Sequence, residues 1–249
     1  MKAKQPQPER AGQRTNVAGK PVANKLLLAV SEVEYRRIRP HLDFQELPKH
    51  FSLHEPREKQ KFAYFLNSGL ASIVVATRGA RDVEAGVVGY EGFIGTALAV
   101  RLDSSPLRVV IQISGEGFRI NTRALHSVLP AAPDFQLRLS RYAVLQGMQV
   151  AQTAACNRLH EVEQRLARWL LMAQDRVGSG TLPITHEFLS IMLGTDRPSV
   201  SLAAHVLQQN AAIDYRRGAL KILNRKRLEA LACECYRVIH QLNHYLGLK

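Results

Sequence analysis

The sequence predicts an α+β chain made of a small β-barrel or β-roll, a long helix and a compact helical C-terminal domain. Three observations predict it. Short apolar runs separated by glycine turns fill residues 47 to 120; from Asp134 to Val177 the only Gly or Pro is Gly147; and beyond Gly178-Ser179-Gly180-Thr181 the pattern breaks into short amphipathic segments. With 249 residues, 46% of them hydrophobic, the chain can bury a sizeable core. Lys and Arg number 34 against 21 Asp and Glu, a formal charge of +13, which suits a polyanionic partner without choosing among nucleic acid, membrane and acidic protein.

Residues 1–23 are polar, with Lys2, Lys4, Arg10, Arg14 and Lys20 against the single acid Glu9, and are expected to be a disordered basic tail. They lack the apolar centre of a secretory signal. No run approaches the roughly 20 apolar residues of a membrane span, so no membrane partner is expected. Cys156, Cys233 and Cys235 are too few for a disulfide framework and fit a reducing compartment, which makes the expected location cytoplasmic.

Residues 24–132 carry the strand-like texture. Phe62-Ala-Tyr-Phe-Leu, a turn at Asn67-Ser68-Gly69, Leu70 to Ala76, a second turn at Arg78-Gly79-Ala80, the stretch around Val83, Val87 and Val88, and Arg108 to Ile113 read as successive strands. Glycines at 86, 89, 92 and 95 fall where positive φ or close backbone approach is needed.

Residues 133–177 read as a long helix followed, after a bend, by an amphipathic segment containing Leu166, Trp169, Leu170 and Met172. Leu137, Val144, Met148, Ala151, Ala155 and Leu159 recur at steps of 7, 4, 3, 4 and 4 along one stripe. Such a stripe pairs with a second copy of the chain as a homodimer, or packs on the β domain of its own chain.

Residues 178–249 hold the motif that points to function. Phe188, Leu189 and Met192 give one short amphipathic helix, Gly194 permits a left-handed turn, and Val200, Ala203, Ala204 and Leu207 give the buried side of a second. Two short helices joined in this way make a helix-turn-helix. Pro198 suits the first position of the second helix, which places Arg197 at its N-cap. Ile213 to Leu223, with Gly218 between two apolar runs, reads as a two-stranded wing. From 216 to 227 six basic residues, Arg216, Arg217, Lys221, Arg225, Lys226 and Arg227, occur with no acid, either a solvated surface or a patch for double-stranded DNA. The DNA-facing candidates are Thr185, His186, Thr195, Arg197, Pro198, Ser199, Ser201, Arg216 and Arg217.

Leu-Pro-Ile-Thr-His-Glu-Phe-Leu from Leu182, Leu-Gly-Thr-Asp-Arg-Pro-Ser-Val-Ser from Leu193, the wing, Arg165-Leu-Ala-Arg-Trp-Leu-Leu and Gly92-Phe-Ile-Gly95 together resemble the Crp/Fnr transcription regulators. The resemblance covers about residues 25 to 235. It implies a jelly-roll-like, double-stranded β-helix sensor domain, a dimerisation helix and a winged helix-turn-helix. It further implies a homodimer on palindromic promoter sites, a small effector and RNA polymerase as a partner. Arg197 matches the family's guanine-reading arginine, and Thr185 and Ser199 match phosphate-binding positions. Leu202 stands where many members have a second base-reading arginine, and Pro198 replaces a common glutamate. A degenerate, non-DNA-binding signalling protein is therefore the rival reading.

Cyclic-nucleotide binding in that family uses a Gly-Glu pair and a later Arg-Ser pair. Here Gly95 is followed by Thr96, and the later pair falls near Ser105-Pro106, so cyclic AMP is not expected. The effector-site candidates are Gly95, Thr96, Arg101, Ser105 and Arg108. The absence of cysteine before Cys156 argues against the family's iron-sulfur cluster. Cys233 and Cys235, two residues apart on a helix, point their thiols about 200° apart, so they are expected to be buried small hydrophobes with no metal, and a cross-dimer disulfide through Cys156 is a minor alternative. His50 and His54 are expected to be surface histidines. No nucleophile elbow, zincin helix or phosphate-binding loop is present, so no enzyme activity and no cofactor are expected.

Overall fold

The structure is a computed structural model and describes residues 14–77, 82–216 and 218–245. The first part of the chain is an arm laid on the β domain. Residues 1–13 lie outside the described residues, but residues 14–23 are packed, which corrects the expectation of a disordered tail through residue 23. Arg14 donates to the carbonyls of Leu27 (2.6 Å), Leu28 (3.0 Å) and Val30 (2.6 Å), the oxygens left over where helix α1 (Lys25–Ala29) ends. Asn16 and Val22 are buried. Asn24 caps α1 by accepting from Leu27 N, and its amide donates to Leu66 O and Gly92 O, tying the helix to the roll. Helix α2 (Glu32–Ile38) follows, capped by Ser31.

Strands β1 (Asp43–Leu47), β2 (Ser52–His54), β3 (Phe62–Leu66), β4 (Leu70–Val75), β5 (Val83–Val88), β6 (Leu107–Ile113) and β7 (Gly115–Asn121) form two antiparallel sheets, ordered β1-β7-β3 and β2-β6-β4-β5. Short helices α3 (Thr96–Ala99) and α4 (Thr122–Val128) close the roll. Phe65, Phe93, Phe118 and Phe135 are fully buried between the layers, with Phe65 stacked on Phe93 at 5.6 Å. The turn expected at 78–80 lies outside the described residues.

Helix α5 (Pro133–Leu159) runs off the roll, and α6 (Val162–Val177) follows. The bend falls at His160 and Glu161, where the Glu161 and Gln164 side chains form a reciprocal capping box. Gly147 does not break α5, because nothing crowds it and helical φ costs it only entropy. One face of α5, bearing Phe135, Leu139 and Tyr142, is buried against the roll. Gly92 is required there: a Cβ would lie 2.0 Å from the Tyr142 hydroxyl. Then come β8 (Thr181–Leu182), α7 (His186–Leu193), α8 (Arg197–Gln209), β9 (Ile213–Arg216), β10 (Ala219–Ile222), α9 (Arg225–Leu231) and α10 (Cys235–His244), with a small sheet ordered β8-β10-β9.

Helix α6 is buried on nearly every side. Leu166, Trp169, Leu170 and Leu171 share one apolar cluster with Leu70, Val87 and Ile113 of the roll and with Leu189, Val200 and Leu207 of the C-terminal domain. Polar groups cross the same interface. The Trp169 indole donates to Glu84 Oε1 at 2.7 Å, and the Ser72 hydroxyl donates to the other carboxylate oxygen. Arg176 pairs with Glu91 at 2.8 Å, both deeply buried. Arg165 donates to Leu193 O at the end of α7.

Burial pushes the Glu84 carboxyl up to about 7, against the downward pull of the Ser72 and Trp169 hydrogen bonds and of the Arg168 and Arg176 guanidiniums. A raised folded-state value means the folded protein holds this proton more tightly than the unfolded chain. The associated stability is full below about 4.5 and lost as pH rises through about 7. Glu84→Gln, which cannot ionise, should therefore gain on the wild type by up to about 3 kcal/mol between pH 4.5 and pH 8. Urea denaturation of both proteins at the two ends of that range checks this, and a constant difference between them refutes it.

Candidate nucleic-acid interface

The turn between α7 and α8 has the conformation the sequence required of Gly194, φ 60° and ψ 42°. Its N–H closes α7 onto Ile191 O at 3.2 Å, and Thr195 N donates to Ser190 O at 3.0 Å. Thr185 caps α7, its hydroxyl accepting from Phe188 N at 3.1 Å. The N-cap of α8 is Asp196, not Arg197 as expected. The Asp196 carboxylate accepts from Ser199 N (2.8 Å) and from the Ser199 hydroxyl (2.9 Å), and these bonds hold it below the usual carboxylate range. Aspartate is the better cap because it offers an acceptor to a free helix N–H, which an arginine cannot. Arg197 is thereby the first helical residue and Pro198 the second, both exposed.

Val200, Ala203, Ala204 and Leu207 are buried against α6 and α7, as their spacing predicted. The opposite face of α8 presents Arg197, Pro198, Leu202, His205 and Gln209, all exposed, with Leu202 at 68%. His205 and Gln209 were not among the sequence candidates. Their signal was the step of 3 and 4 residues from Leu202, the same helical periodicity that identified the buried side.

His186 and Ser201 are engaged with one another. His186 Nδ1 lies 2.9 Å from Ser201 Oγ, which itself donates to Arg197 O at 3.0 Å. The imidazole stacks on Tyr215 of β9 with ring centroids 4.1 Å apart. Burial and the nearby Arg197 charge push His186 below its ordinary value, which favours the neutral ring. These two side chains hold the start of α8 against α7 and the wing. They act on the exposed face of α8 by positioning it.

The wing is a hairpin of β9 and β10 with Gly218 at φ +82°. Arg216 is exposed at its end and pairs with Asp214 at 3.0 Å; Arg217 lies outside the described residues. The six-cation run is not one patch. Lys221, Lys226 and Arg227 are exposed, but Arg225 is held by Asp175 (2.8 Å) and Glu229 (2.8 Å) and donates to Gln174 and Tyr236. Glu229 is its i,i+4 neighbour on α9, but Asp175 and Gln174 come from α6 and Tyr236 from α10, which the 216–227 run could not reveal.

In the roll, Gly95 adopts φ +107° at the start of α3 and lines, with Thr96, Ser105, His54, Gln60 and Gln146, a cavity of about 30 Å³. That is room for about one water, whereas a small-molecule site needs roughly 300 Å³ or more. Arg101 and Arg108 do not line it, contrary to the expectation. Arg101 is exposed, and Arg108 sits between Glu55 (3.3 Å) and Asp82 (3.8 Å). His54, expected on the surface, is buried with Nε2 2.8 Å from Phe62 O, and burial lowers its pKa.

Residues 164–231 match the Crp-like helix-turn-helix domain. Over about four fifths of its length the chain has the fold of Crp/Fnr regulators. It is similar to a transcriptional regulator assigned to that family from Eubacterium rectale (TM-score 0.65, 17% identity, covering 83% of this chain and 96% of that one). It is also similar to the c-di-GMP responsive global regulator CLP of Xanthomonas campestris (TM-score 0.64, 17% identity, 77% and 99%). FixK2 from Bradyrhizobium japonicum is a third (TM-score 0.65, 14% identity, 77% and 98%). No curated protein matches the sequence. The C-terminal part of this chain is thus a helix-turn-helix DNA-binding domain.

Gly194 supplies a test of the turn. A Cβ there would lie no closer than 3.5 Å to Val83, so a substitution is felt through the backbone alone. Gly194→Ala should cost about 1–2 kcal/mol, and Gly194→Asn, whose side chain tolerates the left-handed region, distinctly less. Equal losses in urea denaturation would contradict this account of the turn.

Proposed function

We propose that this protein is a homodimeric transcription regulator that reads a palindromic site in double-stranded DNA with the exposed face of α8. The observation that carries the reading is that face itself: Arg197, Pro198, Leu202, His205 and Gln209 are free of the core on the second helix of a Crp-like helix-turn-helix. Arg197 is suited to bidentate donation to guanine, and Leu202 to apolar contact with a thymine methyl group. Thr185, Thr195, Ser199 and the wing residues Arg216 and Arg217 are assigned to the phosphate backbone, with Lys221, Lys226 and Arg227 adding to its field.

The dimer reading is supported by the second face of α5. Leu137, Val144, Met148 and Leu159 are 48%, 59%, 50% and 73% exposed, and Ala151 and Ala155 beside them are exposed too. The stripe does not pack on its own β domain; the buried face does. An apolar stripe of this length on a lone helix is the surface a parallel copy covers. Pairing along it would set the two α8 helices to grooves about 34 Å apart. In this reading residues 24–132, joined by the arm from residue 14, form a sensing domain for an unidentified effector, residues 133–177 relay the signal, and residues 178–249 bind DNA. RNA polymerase is the partner expected of such a regulator. Among the described residues no helix is long and apolar enough to cross a membrane, in keeping with a cytoplasmic protein.

Arg197→Ala should reduce discrimination between a selected site and random duplex by about 1–3 kcal/mol while leaving the fold intact. A competition binding assay reads this, and an unchanged ratio removes Arg197 from base reading. The logarithm of affinity should fall steeply against the logarithm of salt; a slope near zero favours the signalling protein without DNA recognition. In sedimentation, Val144→Glu with Met148→Glu should convert a dimer to monomer. A wild-type protein that is monomeric at micromolar concentration contradicts the pairing of α5.

A further inference from the structure

Three cysteines and one histidine, distant in sequence, meet where the long helix joins the C-terminal domain. Cys156 lies in the last turn of α5, His160 immediately after it, Cys233 in the connection between α9 and α10, and Cys235 at the first residue of α10. Cys233 precedes the helix on which it was expected, so the argument that two thiols two residues apart must diverge does not apply to it. Their ligand atoms all lie within 4.8 Å of one another. Cys156 Sγ is 3.4 Å from Cys233 Sγ, and Cys235 Sγ is 3.7 Å from His160 Nδ1. The three cysteines are buried.

We propose that Cys156, His160, Cys233 and Cys235 are the four ligands of a structural zinc ion that fastens the end of α5 to the DNA-binding domain. Zinc takes thiolate sulfur at about 2.3 Å and imidazole nitrogen at about 2.0–2.1 Å in a tetrahedron, which separates neighbouring ligand atoms by roughly 3.5–3.8 Å. Both measured edges are close to that spacing. Soft sulfur with one imidazole selects zinc over magnesium or calcium. Ligand atoms this close enclose a single ion, whereas a polynuclear iron-sulfur cluster places its own irons and sulfides between the protein ligands.

The surroundings of the four residues point the same way. His160 Nε2 is 3.2 Å from the Glu234 carboxylate, so its proton belongs on that nitrogen and the Nδ1 lone pair is left facing the sulfurs. This is how a carboxylate orients a metal-ligating histidine. Gln152 Nε2 donates to Cys235 Sγ at 3.0 Å, a bond that favours thiolate. Three thiolates and one zinc(II) leave a single negative charge. The buried guanidiniums of Arg165 and Arg168 act on Cys156 from α6, Arg168 being shared with the Glu84 carboxyl. On binding, each sulfur donates a lone pair to the metal and each thiol proton leaves to solvent; no electron is transferred. All four positions of the tetrahedron are filled by protein, the mark of a structural rather than a catalytic centre.

The test uses the full chain without a histidine tag, expressed with zinc and purified under reducing conditions without chelator. Elemental analysis should give about one zinc per chain. Cys233→Ser and His160→Ala should lose most of it, and a mercurial thiol reagent should release the wild-type zinc in step with thiol titration. Because the variants could fail to fold, wild-type protein stripped and reloaded with cobalt(II) gives a second readout: the intense visible absorption of tetrahedral thiolate-bound cobalt. Metal removal should lower the Tm. Reduced protein that takes up neither zinc nor cobalt overturns the proposal, as does a Cys156–Cys233 disulfide in protein prepared without oxidant. Metal content and DNA affinity are measured independently, so failure of this site and failure of the DNA-binding reading are distinguishable.

Discussion

The hydrogen bond from Trp169 to the buried Glu84 carboxylate fixes the relation between the two halves of the molecule. A carboxyl placed out of water between a β-sheet and a helix needs its partners in one geometry, because losing either donor leaves a buried acceptor unsatisfied at about 1–3 kcal/mol or more. Ser72 of β4 and Trp169 of α6 are those donors, one from each side of the interface. The apolar contacts around them tolerate sliding far better than this polar pair does. Arg176 with Glu91 and Arg165 with Leu193 O extend the constraint along α6. Helix α6 is thereby locked to the roll on one side, and it carries the buried residues of α8 on the other.

That arrangement gives a physical route between the β-roll and the exposed face of α8. Helix α8 does not line the small cavity beside Gly95, but α6 packs against α8 and against the roll that holds the cavity. The cavity is lined by Gln146 of α5 and by β6, and β6 pairs with β4, which carries Ser72. A change at the cavity that displaced β4 or α5 would act on the Glu84 contact before it acted on α8. The interface is built with buried charge, which makes it selective for one orientation more than strongly adhesive.

Legibility in the sequence follows the range of the interactions. The helix-turn-helix was readable because its determinants are local: Gly194 at a positive φ, the buried spacing Val200, Ala203, Ala204 and Leu207, and a two-stranded wing around Gly218. The stripe on α5 was readable as apolar, but whether it faced its own roll or solvent needed the position of the roll. Four features were hidden because their partners are remote. Arg14 reaches carbonyls 13 to 16 residues away. Arg225, part of an acid-free run, is neutralised by Asp175, 50 positions earlier. Glu84 and Trp169 are 85 positions apart. Cys156 and Cys233 are separated by 77. The capping of α8 failed for a different reason: Asp196 and Arg197 are adjacent, and proline alone could not say which of them precedes the helix.

The end of α5 is where these constraints meet. Within one turn, Cys156 is fully buried toward α10 while Leu159 is 73% exposed along the stripe assigned to pairing. The same helical turn therefore faces the DNA-binding domain on one side and the seam on the other. A helix terminus left to itself frays, since its last carbonyls lack intrahelical partners. Here the backbone N–H of His160 still closes on Cys156 O at 3.1 Å, so the last turn holds its shape up to the bend. Four side chains drawn to one point from both sides of that bend would hold the angle between α5 and α6 without adding apolar area. Buried polar groups near Glu84 and Glu91 hold α6 to the roll, and an ion shared by Cys156, His160, Cys233 and Cys235 would restrain it a second time at the bend. Movement of the exposed face of α8 relative to the apolar stripe of α5 would then have to relax one of these two restraints.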